Sequence, residues 1–120
     1  MNKRFSILSF KYAFEGLVAA IKEEPNLRFH FLLSIIVIIL SFVLKISKND
    51  FAVIILVIGF VIAVELTNTA LESVVDNFVT KEHPGAKLAK DISAAAVLIA
   101  AITASIIGIV IFLPYIPWAM

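Results

Sequence analysis

FAVIILVIGFVIAVELTNTALESVVD, residues 51–76, is the stretch on which the architecture turns. Nothing from Phe51 to Val64 is charged, and the polar residues Glu65, Asn68, Glu72 and Asp76 then follow at helical spacing. At roughly 100° per residue these four side chains fall within about 80° of one another, so a helix carries them as one polar stripe. Insertion scales charge about 2.5 to 3.5 kcal/mol for an ionised side chain near the centre of a span, unless it is partnered or hydrated. A cost of that size is ordinarily retained for function.

Outward from this segment, the composition agrees with a membrane protein. The 120 residues are 62% hydrophobic and 16% charged, with a mean hydropathy of +1.06, far too apolar for a soluble domain. A net charge of +1 gives no bulk-charge argument for a nucleic-acid binder, and the absence of cysteine removes disulfides, thiolate metal sites and thiol nucleophiles. Chemistry has to rest on carboxylates, amides, hydroxyls, Lys, Arg or the two histidines. No repeat, low-complexity segment or long linker divides the chain, which reads as one domain over residues 1–120. The first thirty residues lack a clean apolar signal core, so the N-terminus is expected to stay in the mature protein.

Phe10, Phe14, Leu17 and Ile21 recur on one face of residues 5–24, with Lys11, Glu15 and Lys22 turned away, the pattern of an amphipathic helix lying on a membrane surface. Pro25 disfavours helical geometry at Glu24 and closes that element. Residues 27–46 form a first span, because Phe29 to Leu44 contains no Asp, Glu, Lys or Arg. A polar turn follows, in which Asn49 or Asp50 is expected to cap a second helix over 51–79. Such a helix is about 43 Å long against a hydrocarbon core of about 30 Å, so the stripe runs from inside the membrane at Glu65 to its surface at Asp76. The His83-Pro84-Gly85 breaker leads to a third span, 86–113, which stops at Pro114 and Pro117 beside the interface aromatics Tyr115 and Trp118. Lys3, Arg4, Lys11, Lys22, Arg28, Lys81, Lys87 and Lys90 lie on one side, against Lys45 and Lys48 on the other. The positive-inside rule then puts the stripe's open end in the cytoplasm, where ATP is found.

Polar groups converge on that side: Glu24, Arg28, the α-helical stripe, and Lys87, Lys90 and Asp91 at the start of the third span. Carboxylates beside an amide suit a hard cation such as Mg²⁺, Lys90 suits phosphate charge, and a remaining carboxylate suits a lipid hydroxyl. Each also has a plainer reading. Glu65 and Asn68 serve equally as polar contacts between packed helices, Glu72 and Asp76 as solvated charges at a helix end, Lys87 and Asp91 as an i, i+4 pair, Lys90 as a positive-inside charge and His83 as a turn residue. His30 has no nameable partner. The glycines form neither a dinucleotide fingerprint nor a phosphate loop. These residues leave a lipid enzyme, a proton- or cation-coupled transporter and an assembly protein open.

The run Glu65 to Asp76, followed by Ala89-Lys90-Asp91-Ile92-Ser93-Ala94-Ala95-Ala96-Val97-Leu98-Ile99, resembles the signature of the bacterial integral-membrane diacylglycerol kinase family. The likeness extends over nearly the whole chain, through Phe10 to Leu17, Glu24 to Arg28, His83-Pro84 and Ile111 to Pro114. The Tyr12-Ala13-Phe14-x-Gly16 entry, the His-Pro turn and the Phe-Leu-Pro ending resemble the Gram-positive branch, which prefers undecaprenol to diacylglycerol. The resemblance implies an all-α integral-membrane protein, a surface helix plus three spans, assembled as a homotrimer with shared active sites in the bacterial inner membrane and facing the cytoplasm. It implies Glu65 as catalytic base on the lipid hydroxyl, Glu24 and Glu72 as ligands of Mg²⁺, and Asn68 in the same site. It also implies ATP contacts from Tyr12, Glu24, Asn68, Glu72, Lys90, Asp91 and the Lys81-Glu82-His83 turn, with Ala94 beside the lipid. One departure stands out: an ungapped match puts Phe5 where the family has a basic residue, with Arg4 next to it, and that position is unassigned.

Overall fold

The computed structural model describes residues 7–117 and is helical throughout, with no strand among them. Lys3, Arg4, Phe5 and Trp118, which the sequence reading invoked, lie outside the described residues. Helix α1 (Ile7–Glu23) is followed by three helices long and apolar enough to cross a membrane: α2 (Pro25–Val43), α3 (Lys48–Phe78) and α4 (Pro84–Phe112), the last continued by a 3₁₀ turn, Leu113–Tyr115. The expected surface helix and three spans are therefore present in the expected order.

The ends differ by a few residues, for local reasons. Both α2 and α4 begin on a proline rather than two residues after it, because proline at the first helical position loses no useful N–H and arrives with a helical φ. Glu24 is extended, with φ −111° and ψ 105°, and turns the chain from α1 into α2. The guanidinium of Arg28 reaches back across this corner and donates to the carbonyls of Ile21 and Lys22 at 3.0 and 2.7 Å. It thereby satisfies the exposed end of α1 and fixes the corner that carries Glu24. Helix α2 stops at Val43, short of the expected residue 46, as Lys45 enters the left-handed region with φ 52° and the Ile46 amide donates to the Ser41 carbonyl. That is the helix-ending motif usually given to glycine.

The expected cap of α3 is corrected: Ser47, not Asn49 or Asp50, holds that place, its Oγ accepting from the Asp50 amide at 3.1 Å. Asp50 is engaged elsewhere. Its carboxylate accepts from the Tyr115 hydroxyl at 2.8 Å, and the same hydroxyl accepts from the Ser47 amide at 3.0 Å. Tyr115, expected as an interface aromatic, thus also ties the end of α4 to the start of α3.

Very little is buried. Leu27, Ile54, Val61, Ala100 and Ile111 are the buried apolar side chains, whereas Phe29, Leu32, Ile36, Ile39, Leu56, Leu98, Ile106 and Ile109 face outward. In water this would be an inverted protein; in a bilayer those chains meet lipid, and helices associate through close packing and polar contacts instead. Helix α4 packs along α3 more extensively than α2 does, and α1 touches both α2 and α3. Glu65 is buried at 5% exposure within this single chain. Its burial therefore gives no argument for a trimer.

Candidate functional site

Helix α3 carries the stripe as the spacing predicts. Asn68 donates through Nδ2 to Glu72 Oε1 at 2.8 Å, one turn along the same face. The oxygen of that amide, Asn68 Oδ1, is buried and unpartnered among the described residues, and so is Glu65 Oε2. Buried polar atoms are nearly always satisfied, so two such oxygens on one helix face mark a place built for something else to bind.

Beyond Glu72 the stripe opens into a cleft of about 480 Å³ between the end of α3 and the start of α4. Lys90 crosses it to Asp76, Nζ to Oδ1 at 2.8 Å, while Lys87 pairs with Asp91 one turn away at 2.7 Å. Glu82 and His83 line the same cleft. His83 caps α4, its Nδ1 accepting from the Ala86 amide at 3.2 Å, and the ring lies so close over Gly85 that a Cβ there would sit 3.0 Å from His83 Cε1 and require the ring to shift by a few tenths of an ångström. The structural role read for His83 is thus seen directly. Both ion pairs are exposed, and exposed pairs are weak, so an anion can displace Asp76 from Lys90 at little cost.

Of the expected site residues, Glu82, His83, Lys90 and Asp91 meet in this cleft, and Glu65, Asn68 and Glu72 follow one another along α3 toward it. Glu24 sits half-buried at the α1–α2 corner. Lys81, Tyr12 and Ala94 are exposed and do not line the cleft. Among the described residues no three His, Asp or Glu side chains converge into a metal cage. Mg²⁺ seldom uses such a cage, taking one or two carboxylates and completing its shell with water and substrate phosphates. Glu72, beside the unpartnered Asn68 oxygen, is a donor set of the right hardness for such an ion, and Glu24 lies apart from it, at the α1–α2 corner.

The principal residue that sequence reasoning does not find is His30. Its Nδ1 lies 2.6 Å from Glu65 Oε1, with the side chains 22% and 6% exposed. The two atoms are in close polar contact, although the ring N–H is not aligned on the oxygen as in a straight hydrogen bond. A signal for it exists in the sequence: His30, Ser34 and Ser41 are the polar members of α2's apolar run and fall within about 40° of one another on the helix. From His30 an apolar groove of about 400 Å³ descends between α2, α3 and α4.

Comparison with known proteins adds the following. The family model for prokaryotic diacylglycerol kinase matches residues 11–112. The undecaprenol kinase of Bacillus subtilis (strain 168) is 41% identical over 114 residues, covering 95% of this chain and 91% of that protein. A diacylglycerol kinase of Synechocystis is 42% identical over 109 residues, 90% of this chain but 62% of that longer relative. The diacylglycerol kinase of Escherichia coli (strain K12) is 32% identical over 95 residues, 79% of this chain and 78% of its own.

Proposed function

Because the chain belongs to the prokaryotic diacylglycerol kinase family and is a membrane lipid kinase, we propose that it transfers the γ-phosphoryl of MgATP to the hydroxyl of undecaprenol at the cytoplasmic face of the inner membrane. The observation that carries the reading is Glu65: a buried carboxylate with one oxygen unpartnered, on a helix long and apolar enough to cross a membrane, and in contact with His30 at the head of an apolar groove. A lipid alcohol entering from the bilayer can present its hydroxyl to Oε2. As the hydroxyl oxygen bonds to the γ-phosphorus, its proton passes to Glu65 and the bond to the bridging oxygen breaks, releasing ADP. Such transfer needs mainly positioning and charge neutralisation, which a few side chains can supply.

The nucleotide is assigned to the α3–α4 cleft, with Lys90, Asp91, Glu82 and His83 around it; Lys81, next to that turn, and Tyr12 on α1 are assigned to it by the family resemblance alone. Its phosphates point along α3 past Glu72, about 6 Å from Asp76 by helical rise, toward Glu65, about 10 Å further. Glu24 and Glu72 would hold Mg²⁺, with Asn68 supporting the same site; the ion, when bound, neutralises phosphate charge. Ala94 leaves room for the lipid head. A homotrimer with sites shared between neighbours completes the proposal.

Lys90 gives a separable prediction. Lys90→Met is expected to raise the KM for MgATP about tenfold with kcat little changed, because one charge-assisted contact is lost. Asp76→Asn, which only frees the ammonium, is expected to leave KM within about twofold by the same accounting. Steady-state kinetics with ATP varied would separate them; equal losses would make the pair structural.

Undecaprenol is favoured by the correspondence with the Bacillus relative over nearly the full length of both chains, together with the entry, turn and ending fragments. Similarity to proteins named diacylglycerol kinase supports that lipid as the second reading. The deciding experiment offers both lipids, separately and in competition, to purified protein in mixed micelles with MgATP. Preferential phosphorylation of undecaprenol is the expected result; preference for diacylglycerol would reverse the substrate assignment. Activity on neither would return a transporter or an assembly protein to the front, and ATP-independent flux in sealed vesicles would identify the transporter.

A further inference from the structure

A carboxylate that must accept a proton from a lipid hydroxyl has to present one defined oxygen at one defined place, and a glutamate side chain does not hold still by itself. Three torsions separate the Glu65 carboxylate from its backbone. Within the described residues nothing on α3 restrains it. The restraint comes from α2, where His30 Nδ1 approaches Oε1 to 2.6 Å, while Oε2 has no hydrogen-bond partner. The contact therefore divides the carboxylate into a held oxygen and a presented one.

His30 is itself well placed to do this. The first two turns of α2 fix its backbone: its carbonyl accepts from Ser34 Oγ at 2.7 Å, and buried Leu27, at 1% exposure, anchors the preceding turn. The ring of Phe29 meets the imidazole edge-on, with centroids 5.5 Å apart. His30 is also the last polar side chain at the head of the apolar groove, beside Leu33, Val37 and Val61, where a lipid hydroxyl would arrive if its chain lay in that groove.

We propose that His30 is a positioning residue for the phosphoryl-transfer reaction: by holding Glu65 Oε1 through Nδ1 it aims Oε2 at the lipid hydroxyl. The inference rests on the reading of Glu65 as the base. A geometry that loosens by about 1 Å at a reacting atom costs on the order of 10²-fold in rate, which sets the size of the effect.

The test uses the chain's own atom geometry. The amide nitrogen of asparagine lies at the distance from the backbone where Nδ1 lies, whereas that of glutamine lies further out, near the position of Nε2. His30→Ala is expected to lower kcat about 30- to 100-fold with KM for MgATP within about twofold. His30→Asn is expected to recover to within about fivefold of the parent, and His30→Gln to stay near the alanine variant. In a Glu65→Gln background, His30→Ala is expected to add no more than about twofold, since the two residues act as one unit. Thermal unfolding in detergent accompanies each variant, and the Asn and Gln variants decide the matter if the Ala variant is unfolded. The proposal is overturned if His30→Ala keeps kcat within twofold of the parent, if Asn and Gln behave alike, or if the losses multiply in the double variant. Near-normal turnover in Glu65→Gln alone would instead overturn the base, and the positioning role with it.

Discussion

Glu65→Gln is expected to lower turnover by about three orders of magnitude while fold and MgATP binding persist, general-base contributions being typically 10²- to 10⁴-fold. The substitution is nearly isosteric and leaves an amide oxygen where Oε1 meets His30, so the packing of α2 on α3 has no reason to change. What disappears is the second oxygen's capacity to accept a proton. The lipid hydroxyl must then attack while still protonated, and its proton must find water in a site that α2, α3 and α4 largely close off. Turnover at saturating ATP and lipid, alongside nucleotide binding measured without turnover, separates loss of the base from loss of the site. Retention of normal turnover in a protein that still binds MgATP would remove Glu65 from the mechanism.

The same residue shows what was legible in the sequence and why. Spans and their order follow from local facts: where charges are absent, where prolines fall, how long an apolar run lasts. The α3 stripe was legible because one helix generates it, and the Asn68–Glu72 contact is an i, i+4 pair that any helix would bring together. The pairs that cross between helices were not. Lys90 with Asp76, and His30 with Glu65, depend on the axial register of α4 and α2 against α3, which no single-helix periodicity contains. The cap of α3 failed for a related reason. Ser47, Asn49 and Asp50 are all competent caps, differing by about 1 kcal/mol or less, and the choice falls to Ser47 because Tyr115 arrives from the far end of the chain to engage Asp50. Where local alternatives are that close in energy, a distant contact decides.

A second substitution tests the cation assignment. Glu72→Gln is expected to raise the Mg²⁺ concentration for half-maximal activity about tenfold or more, with much of kcat regained at high Mg²⁺, because it removes one formal charge from a site with few ligands. Glutamine is the informative replacement here. Its amide oxygen can still accept from Asn68 Nδ2, the 2.8 Å contact that orders the turn between them, so local structure is preserved and charge alone is changed. Glu24→Gln, at the corner fixed by Arg28, is expected to shift the Mg²⁺ dependence in the same direction. The double variant is expected to lose more than either, since neither remaining ligand can neutralise the phosphates alone. Binding of Mn²⁺ as a spectroscopic substitute, followed without turnover, reads the same site independently of catalysis. If activity and Mn²⁺ binding titrate as in the parent in both single variants, neither carboxylate holds the cation, and Glu72 becomes only the acceptor that keeps Asn68 in place.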